Sequence, residues 1–278
     1  MREHASTLIS LQERIRSYSD PREREIAEAS HLLGGPANID SDRQHILVFL
    51  HGMNTYADWQ EILSEPIRNL TNLKPIPLGY GNVHPVKFLL PFPYRQSRLK
   101  IVYRELNDLR EDNPDADISV VAHSFGTYLL SKTLLKSPKL KLKHVILCGS
   151  ILDSDFDWNL IKNQFLSPVI NDVGVRDPWP SLAKNWSVGY GDSGSFGFKK
   201  GRTVDRFFDL DHSGFLNYEH AKDFWLPLLV DGRVIPSRLN AQSRKLSYWQ
   251  TELRRFSLLH LSTIIFLALL CWVWSTNN

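Results

Sequence analysis

At 278 residues the chain has room for one sizeable α/β domain with appendages. Apolar residues make up 42% and charged residues 23%, the balance of a globular protein rather than a disordered or fibrous one. A formal net charge of +3 is too small to argue for nucleic acid, and the two cysteines, Cys148 and Cys271, build neither a disulfide framework nor a metal-ligand spacing, so a reducing compartment fits.

The N-terminal stretch is charged and lacks the apolar centre of a secretory signal. Residues 1–33 set Leu8, Leu11, Ile15, Ile26, Ala29 and Leu33 among dense charges, which predicts one or two amphipathic helices broken near Pro21 and ended by Gly34-Gly35-Pro36. Docking on the main domain is their expected role; recruitment of a protein partner is the alternative, and no residue identifies one.

The apolar run Ile46 to Leu50 reads as a buried parallel strand ending at His51-Gly52. A His-Gly pair in that position turns the chain so that a backbone N–H can enter an oxyanion hole. Met53 is then the donor, with Asn54 bracing the loop. Residues 58–70 predict a helix packing through Trp59, Ile62, Leu63 and Ile67, and Lys74–Leu78 a short strand. An irregular stretch, 79–95, offers Tyr80, His84, Phe88, Phe92 and Tyr94 as an apolar wall. A helix over Gln96–Asn113 follows, closed by Asn113-Pro114.

Residues 117–127, DISVVAHSFGT, read as a covered strand running into a tight turn that presents Ser124, then a helix through Tyr128, Leu129, Leu130, Thr133, Leu134 and Leu135. A serine hydroxyl is a poor nucleophile until a turn exposes it to a base, and a strand–serine–helix junction does that while aiming N–H groups, here that of Phe125, at a developing oxyanion. Gly126 leaves room for the helix to pack close. Alanine at 122 stands where this motif usually has glycine, and the bland reading of the same residues is a junction with a capping serine.

LKHVILCGS, 142–150, is the next buried strand. Asp153, Asp155 and Asp157 follow it; Asp155 is an alternative triad acid, and the cluster lacks the glycine and distal glutamate of a calcium loop. Trp158 is expected to pack inward beside a pocket, with His51, Asn54 and His123 as its other candidate lining and Trp179, Trp186 and Trp225 further downstream. A strand through Val169-Ile170 leads to Asp177, an acid just past a strand end that can accept the Nδ1 proton of a histidine; Asp172 is the runner-up. Residues 187–202 are glycine-dense and predict a mobile surface loop whose Gly-Asp-Ser-Gly tetrad carries no chemistry. The last strand, Val204 to Leu210, ends at Asp211-His212, making His212 the candidate general base and His220 the weaker competitor.

From Arg233 to Arg255 basic residues dominate, and FSLLHLSTIIFLALLCWVW, 256–274, has no formal charge beyond that of His260. At ~1.5 Å per residue such a helix spans a bilayer core, with basic residues before it and Trp272 and Trp274 at its far end. A C-terminal tail anchor with the catalytic domain in the cytoplasm is expected.

Taken together, HILVFLHGMN, VVAHSFGT, GVRDPWP and DHSGF resemble the α/β-hydrolase superfamily, more narrowly bacterial serine esterases and lipases, over residues 45–230. The resemblance implies a three-layer α/β sandwich on a reduced, mostly parallel sheet of about six strands, a catalytic Ser124, Asp177 and His212, oxyanion donors from Met53 and Phe125, and no cofactor. The expected organisation is a helical extension (1–40), a hydrolase domain (41–232), a basic linker (233–255) and a transmembrane helix (256–274). An ester or lipid is the expected substrate and the bilayer the expected surface. A catalytically silent binding or signalling module on the same scaffold is the competing reading.

Overall fold

The computed structural model describes residues 43–52, 58–81 and 94–239. The helices expected over 1–33, Met53 and Asn54, the aromatic stretch 82–93, and the apolar run 256–274 lie outside them. Among the described residues no helix is long and apolar enough to cross a membrane.

Six strands form one sheet: β1 (His45–Leu50), β2 (Leu73–Leu78), β3 (Asp117–His123), β4 (Val145–Cys148), β5 (Val169–Gly174) and β6 (Thr203–Phe208). Their order is β2-β1-β3-β4-β5-β6, and all five pairings are parallel. The connections are α1 (Asp58–Leu70), α2 (Tyr94–Asp112), α3 (Phe125–Lys136), the 3₁₀ turn Trp158–Gln164, α4 (Trp179–Trp186) and α5 (Ser193–Phe196). After β6 a helical stretch, α6, runs through Tyr218–His220, a π-turn at Ala221–Trp225 and Leu226–Asp231.

Parallel strands covered on both faces need apolar residues on both faces, and β1 is buried at all six positions. Ile46, Val48, Leu50, Val120 and Leu147 face one core with α2 and α3, through Leu99, Val102, Leu106, Leu129 and Leu130. Leu47, Phe49, Val121, Ile146 and Val204 face the other, with Trp59, Leu63 and Ile67 of α1 and Trp225, Leu228 and Leu229 of α6. Each such aliphatic side chain contributes about 1.5–3 kcal/mol of burial. The result is a three-layer α/β/α sandwich on a six-stranded parallel sheet. Ile62, expected to pack, is instead 62% exposed, because α1 turns only Trp59, Leu63 and Ile67 to the sheet.

The basic linker begins later than its composition suggests. Val234 is buried in the second core, Ser237 Oγ accepts from the Phe207 N–H at 2.8 Å, and Leu239 bridges Phe207 antiparallel. Residues 233–239 thus belong to the folded domain. The loop 187–202 is corrected more strongly: Gly191 to Ser195 are buried, because their N–H groups bond the carbonyls of Ser150, Ile151 and Leu152 after β4.

The chain leaves β1 towards β2 on one side and reaches β3 on the other, so the crevice between the C-terminal ends of β1 and β3 is the topological switch point, where open α/β sheets bind ligands. His51-Gly52 and Ser124 flank it.

Candidate active site

β3 ends at His123, and the next residue, Ser124, sits at φ 53, ψ −119 before α3 begins. It is the one non-glycine residue with positive φ among the described residues. Such a conformation costs about 1–3 kcal/mol and persists where the surroundings enforce it. Here the Ser124 N–H bonds the Cys148 carbonyl at 3.0 Å, and its carbonyl accepts from the Thr127 N–H at 3.0 Å and Oγ1 at 2.6 Å. Gly126 permits the turn by close approach: a Cβ there would stand 2.7 Å from the carbonyl oxygens of both Leu50 and His51. Ala122 pairs with Leu50 and Leu147 within the sheet and is fully buried, so its methyl is absorbed by the core before the turn begins.

His212 follows β6 in a loop. Its Nε2 lies 2.9 Å from Ser124 Oγ and its Nδ1 2.7 Å from Asp177 Oδ2. Asp177 is fully buried; its Oδ1 accepts from the Trp179 N–H at 3.0 Å and its backbone carbonyl accepts from Ser195 Oγ at 2.8 Å. With both carboxylate oxygens engaged, the acid cannot rotate away from the ring, and the Nδ1 proton is held by Asp177, leaving Nε2 as the acceptor facing the serine. Residues 35 and 88 positions from His212 in sequence converge here because β3, β5 and β6 all end at the same edge of the sheet.

The runner-up acids lie elsewhere. Asp172 is inside β5 on the opposite face, where it accepts from Arg206 Nε (2.6 Å) and a terminal guanidinium nitrogen (2.9 Å), from Trp225 Nε1 (2.8 Å), and meets His220 Nε2 (2.9 Å). Burial works to raise its pKa, and Arg206 with His220 more than offsets that, holding the carboxyl below the usual range. His220, the competing base, is consumed by this network. Asp155 is exposed and pairs with Lys199 and Lys200.

Of the pocket candidates, Trp158 is a core residue, fully buried against Phe156, Phe165 and Phe198. Trp225 is likewise buried. Asn54 lies outside the described residues, as does Met53, the expected oxyanion donor, so the chain after β1 is described only as far as Gly52. A Cβ on Gly52 would lie 2.8 Å from Ser124 Cβ, so the bare glycine lets the turn after β1 lie against Ser124. Phe125 opens α3, which puts its backbone N–H in the first turn of the helix, directly beside Ser124. His51 and His123 are buried behind the serine rather than lining an open pocket. His51 stacks on Tyr80, with ring centroids 4.2 Å apart, and burial lowers its pKa. Tyr80, read from sequence as pocket wall, donates its hydroxyl to the carbonyls of His51 (2.5 Å) and Gly52 (2.9 Å) and so holds the β1 turn from below.

The sequence reading missed Gly149. Its φ is +54, and a Cβ there would come within 2.9 Å of His212 Nδ1 and Cε1. A glycine straight after a core strand was the available signal. The Gly-Asp-Ser-Gly tetrad is structural: Asp192 accepts from Ser154 Oγ and Lys184, and Ser193 Oγ donates to Ser150 Oγ. Among the described residues no group of three or more metal-ligating side chains gathers.

No family model matches the chain, and no curated protein matches it in sequence. Solved structures similar to it include the protein TT1662 from Thermus thermophilus, at 11% identity and a TM-score of 0.44 over 65% of this chain and 85% of that one. A putative α/β hydrolase from Agrobacterium tumefaciens matches at 14% and 0.43 over 70% and 89%. An esterase from an Arctic intertidal metagenomic library matches at 12% and 0.41 over 70% and 85%.

Proposed function

We propose that this chain is a serine hydrolase acting on ester bonds, held at a membrane by residues 256–274. The observation that carries the reading is the unbroken chain Ser124 Oγ, His212 Nε2, His212 Nδ1, Asp177 Oδ2, joined at 2.9 and 2.7 Å around a serine at positive φ. His212 Nε2 takes the Ser124 proton as Oγ bonds the ester carbonyl carbon. Asp177 stabilises the imidazolium so formed. The backbone N–H of Phe125, with a second donor from the loop after Gly52, receives the oxyanion. The imidazolium then gives its proton to the leaving alcohol as the C–O bond breaks, leaving an acyl-serine. A water, deprotonated by His212, adds to the acyl carbon, and collapse releases the carboxylic acid and regenerates Ser124.

Trp179 supports an apolar substrate: it is 54% exposed and its ring centroid lies 6.5 Å from that of His212. The uncharged run 256–274, preceded by Arg244, Lys245, Arg254 and Arg255, supports the tether. Fluorophosphonate labelling of the full-length chain tests the chemistry: wild type takes up the probe and Ser124→Ala does not. Equal labelling of the two, or none of either, refutes the assignment. Recovery of the chain truncated after Arg255 in the same membrane fraction as full length would refute the tether.

A further inference from the structure

His123 occupies the last position of β3, pairs with Cys148 of β4, and is 3% exposed. Its Nε2 lies 2.8 Å from the backbone carbonyl of His212. A carbonyl only accepts, so the proton of this imidazole is on Nε2 and its Nδ1 is a bare lone pair. Among the described residues that buried Nδ1 has no hydrogen-bond partner. A buried imidazole with one ring nitrogen unsatisfied carries a desolvation cost that an apolar side chain of the same shape would not, so shape alone does not account for it.

We propose that His123 is the positioning residue for His212: its Nε2–H holds the His212 backbone and thereby sets where the base stands over Ser124. The inference rests on the assignment of Ser124 and His212 made above. The base lies in the loop between β6 and α6, whereas His123 lies on a central strand directly before the nucleophile. One rigid strand end thus places both reacting groups, with the Asp177 carboxylate as the second anchor of the ring. The two imidazoles stand 4.6 Å apart between centroids, tilted by 50°, an approach that Gly149 allows because its missing Cβ would lie 3.3 Å from His123 Nε2 and 2.9 Å from the His212 ring. Other described residues near His123 include the Trp59 ring, at 6.5 Å between centroids, His51 and Gly52. Burial, followed by the adjacent His212, pushes the His123 pKa down to about 3, so it stays neutral while the base works and does not compete for the serine proton.

The test compares full-length wild type, His123→Phe and His123→Gln. Phenylalanine keeps the ring and loses the donor; glutamine returns an N–H near the position of Nε2. A displacement of the base of ~1 Å slows the chemistry by about 10- to 100-fold. The expected result is that loss in fluorophosphonate labelling rate for His123→Phe, with substantial recovery in His123→Gln. Turnover of p-nitrophenyl acetate should fall in kcat with KM unchanged. ¹⁵N-histidine NMR of the wild type needs no variant: a His123 ring protonated at Nε2 and silent from pH 5 to 8 supports the inference. An Nδ1-protonated ring, or one titrating near 6.5, overturns it. Wild-type labelling matched by His123→Phe overturns this inference alone, whereas a wild type that takes up no probe overturns the hydrolase reading and this inference with it.

Discussion

Three buried histidines make the folded domain sensitive to mild acid. Burial, aided by Lys143, takes the pKa of His45 down to about 4; burial, with His45 and Lys143 beside it, takes His144 to about 3; His123 is also at about 3. His45 Nε2 meets Ser119 Oγ at 2.8 Å and His144 Nδ1 meets Ser167 Oγ at 2.9 Å, contacts made by neutral rings. In the unfolded chain each titrates near 6.5. Because the folded pKa values are depressed, the unfolded state binds protons first as pH falls. The stability these neutral rings represent is therefore complete above about pH 6.5 and is lost between there and pH 3–4. With three protons the slope approaches about 4 kcal/mol per pH unit, and each histidine costs about 2 kcal/mol at pH 5 relative to neutrality. The sum, roughly 6 kcal/mol, is comparable to the whole stability of an ordinary domain. Urea unfolding followed by tryptophan fluorescence at pH 7.5, 6, 5.5 and 5 measures it. The denaturation midpoint is expected to fall steeply below pH 6, and His144→Gln, remote from Ser124 and His212, should reduce the slope by about one third. A midpoint flat between pH 7 and 5, or a His144→Gln slope equal to wild type, refutes the reasoning.

Asp172→Asn leaves Arg206, fully buried, without its bidentate carboxylate, at a cost of about 3–5 kcal/mol, so Tm should drop by roughly 10 °C while labelling at a permissive temperature stays near wild type. Asp177→Asn should do the reverse, slowing labelling about 10³-fold or more with a smaller change in Tm; swapped outcomes would exchange the two roles. Gly149→Ala sets a methyl carbon 2.9 Å from the His212 ring at φ +54, and is expected to slow labelling by about 10- to 100-fold and cost about 1–2 kcal/mol in backbone strain. Wild-type labelling by this variant would show that the ring has room to spare.

Much of the fold was legible because parallel strands covered on both faces carry uninterrupted apolar runs: Ile46 to Leu50, Val120-Val121 and Val145 to Cys148 announce themselves. Ser124, Asp177 and His212 were legible as candidates because each stands just past a strand end, and the structure brings the three within hydrogen-bond distance. The choice between Asp172 and Asp177 was open in sequence, since both acids cluster around the end of one strand. The structure separates them: β6 sets Arg206, 34 positions away, beside Asp172 by register, while Asp177 meets His212. Composition misled at 187–202. Glycine density there reflects two backbones pressed together: a Cβ on Gly191 or Gly194 would meet the main chain of Asp153 or Ser150 at 2.2 Å. Trp158 was similarly ambiguous, because a tryptophan after a strand serves a pocket or a core equally well until its neighbours are known.

The same missing side chains explain how a strained serine and a loop histidine can be held in register. β1, β4 and β5 each run into glycine at the edge where the site lies, at Gly52, Gly149 and Gly174, and α3 begins with Phe125-Gly126. A Cβ at these four positions would meet, in turn, Ser124 Cβ at 2.8 Å, the His212 ring at 2.9 Å, Asp177 Cβ at 3.0 Å, and the carbonyl oxygens of Leu50 and His51 at 2.7 Å. Each absent methyl thus admits a different member of the hydrogen-bond chain, or the helix that fixes the turn at Ser124. Elsewhere on the strands, buried Ile, Val and Leu supply the packing that keeps Ser124 at φ 53 against its strain of about 1–3 kcal/mol. The division of labour follows the chain direction: side chains early in each strand stabilise the sheet, and their absence at its C-terminal edge lets His212 approach Ser124 at 2.9 Å and Asp177 at 2.7 Å. Ordinary side chains at those edges would meet these atoms at less than contact distance and so hold Ser124 and His212 apart.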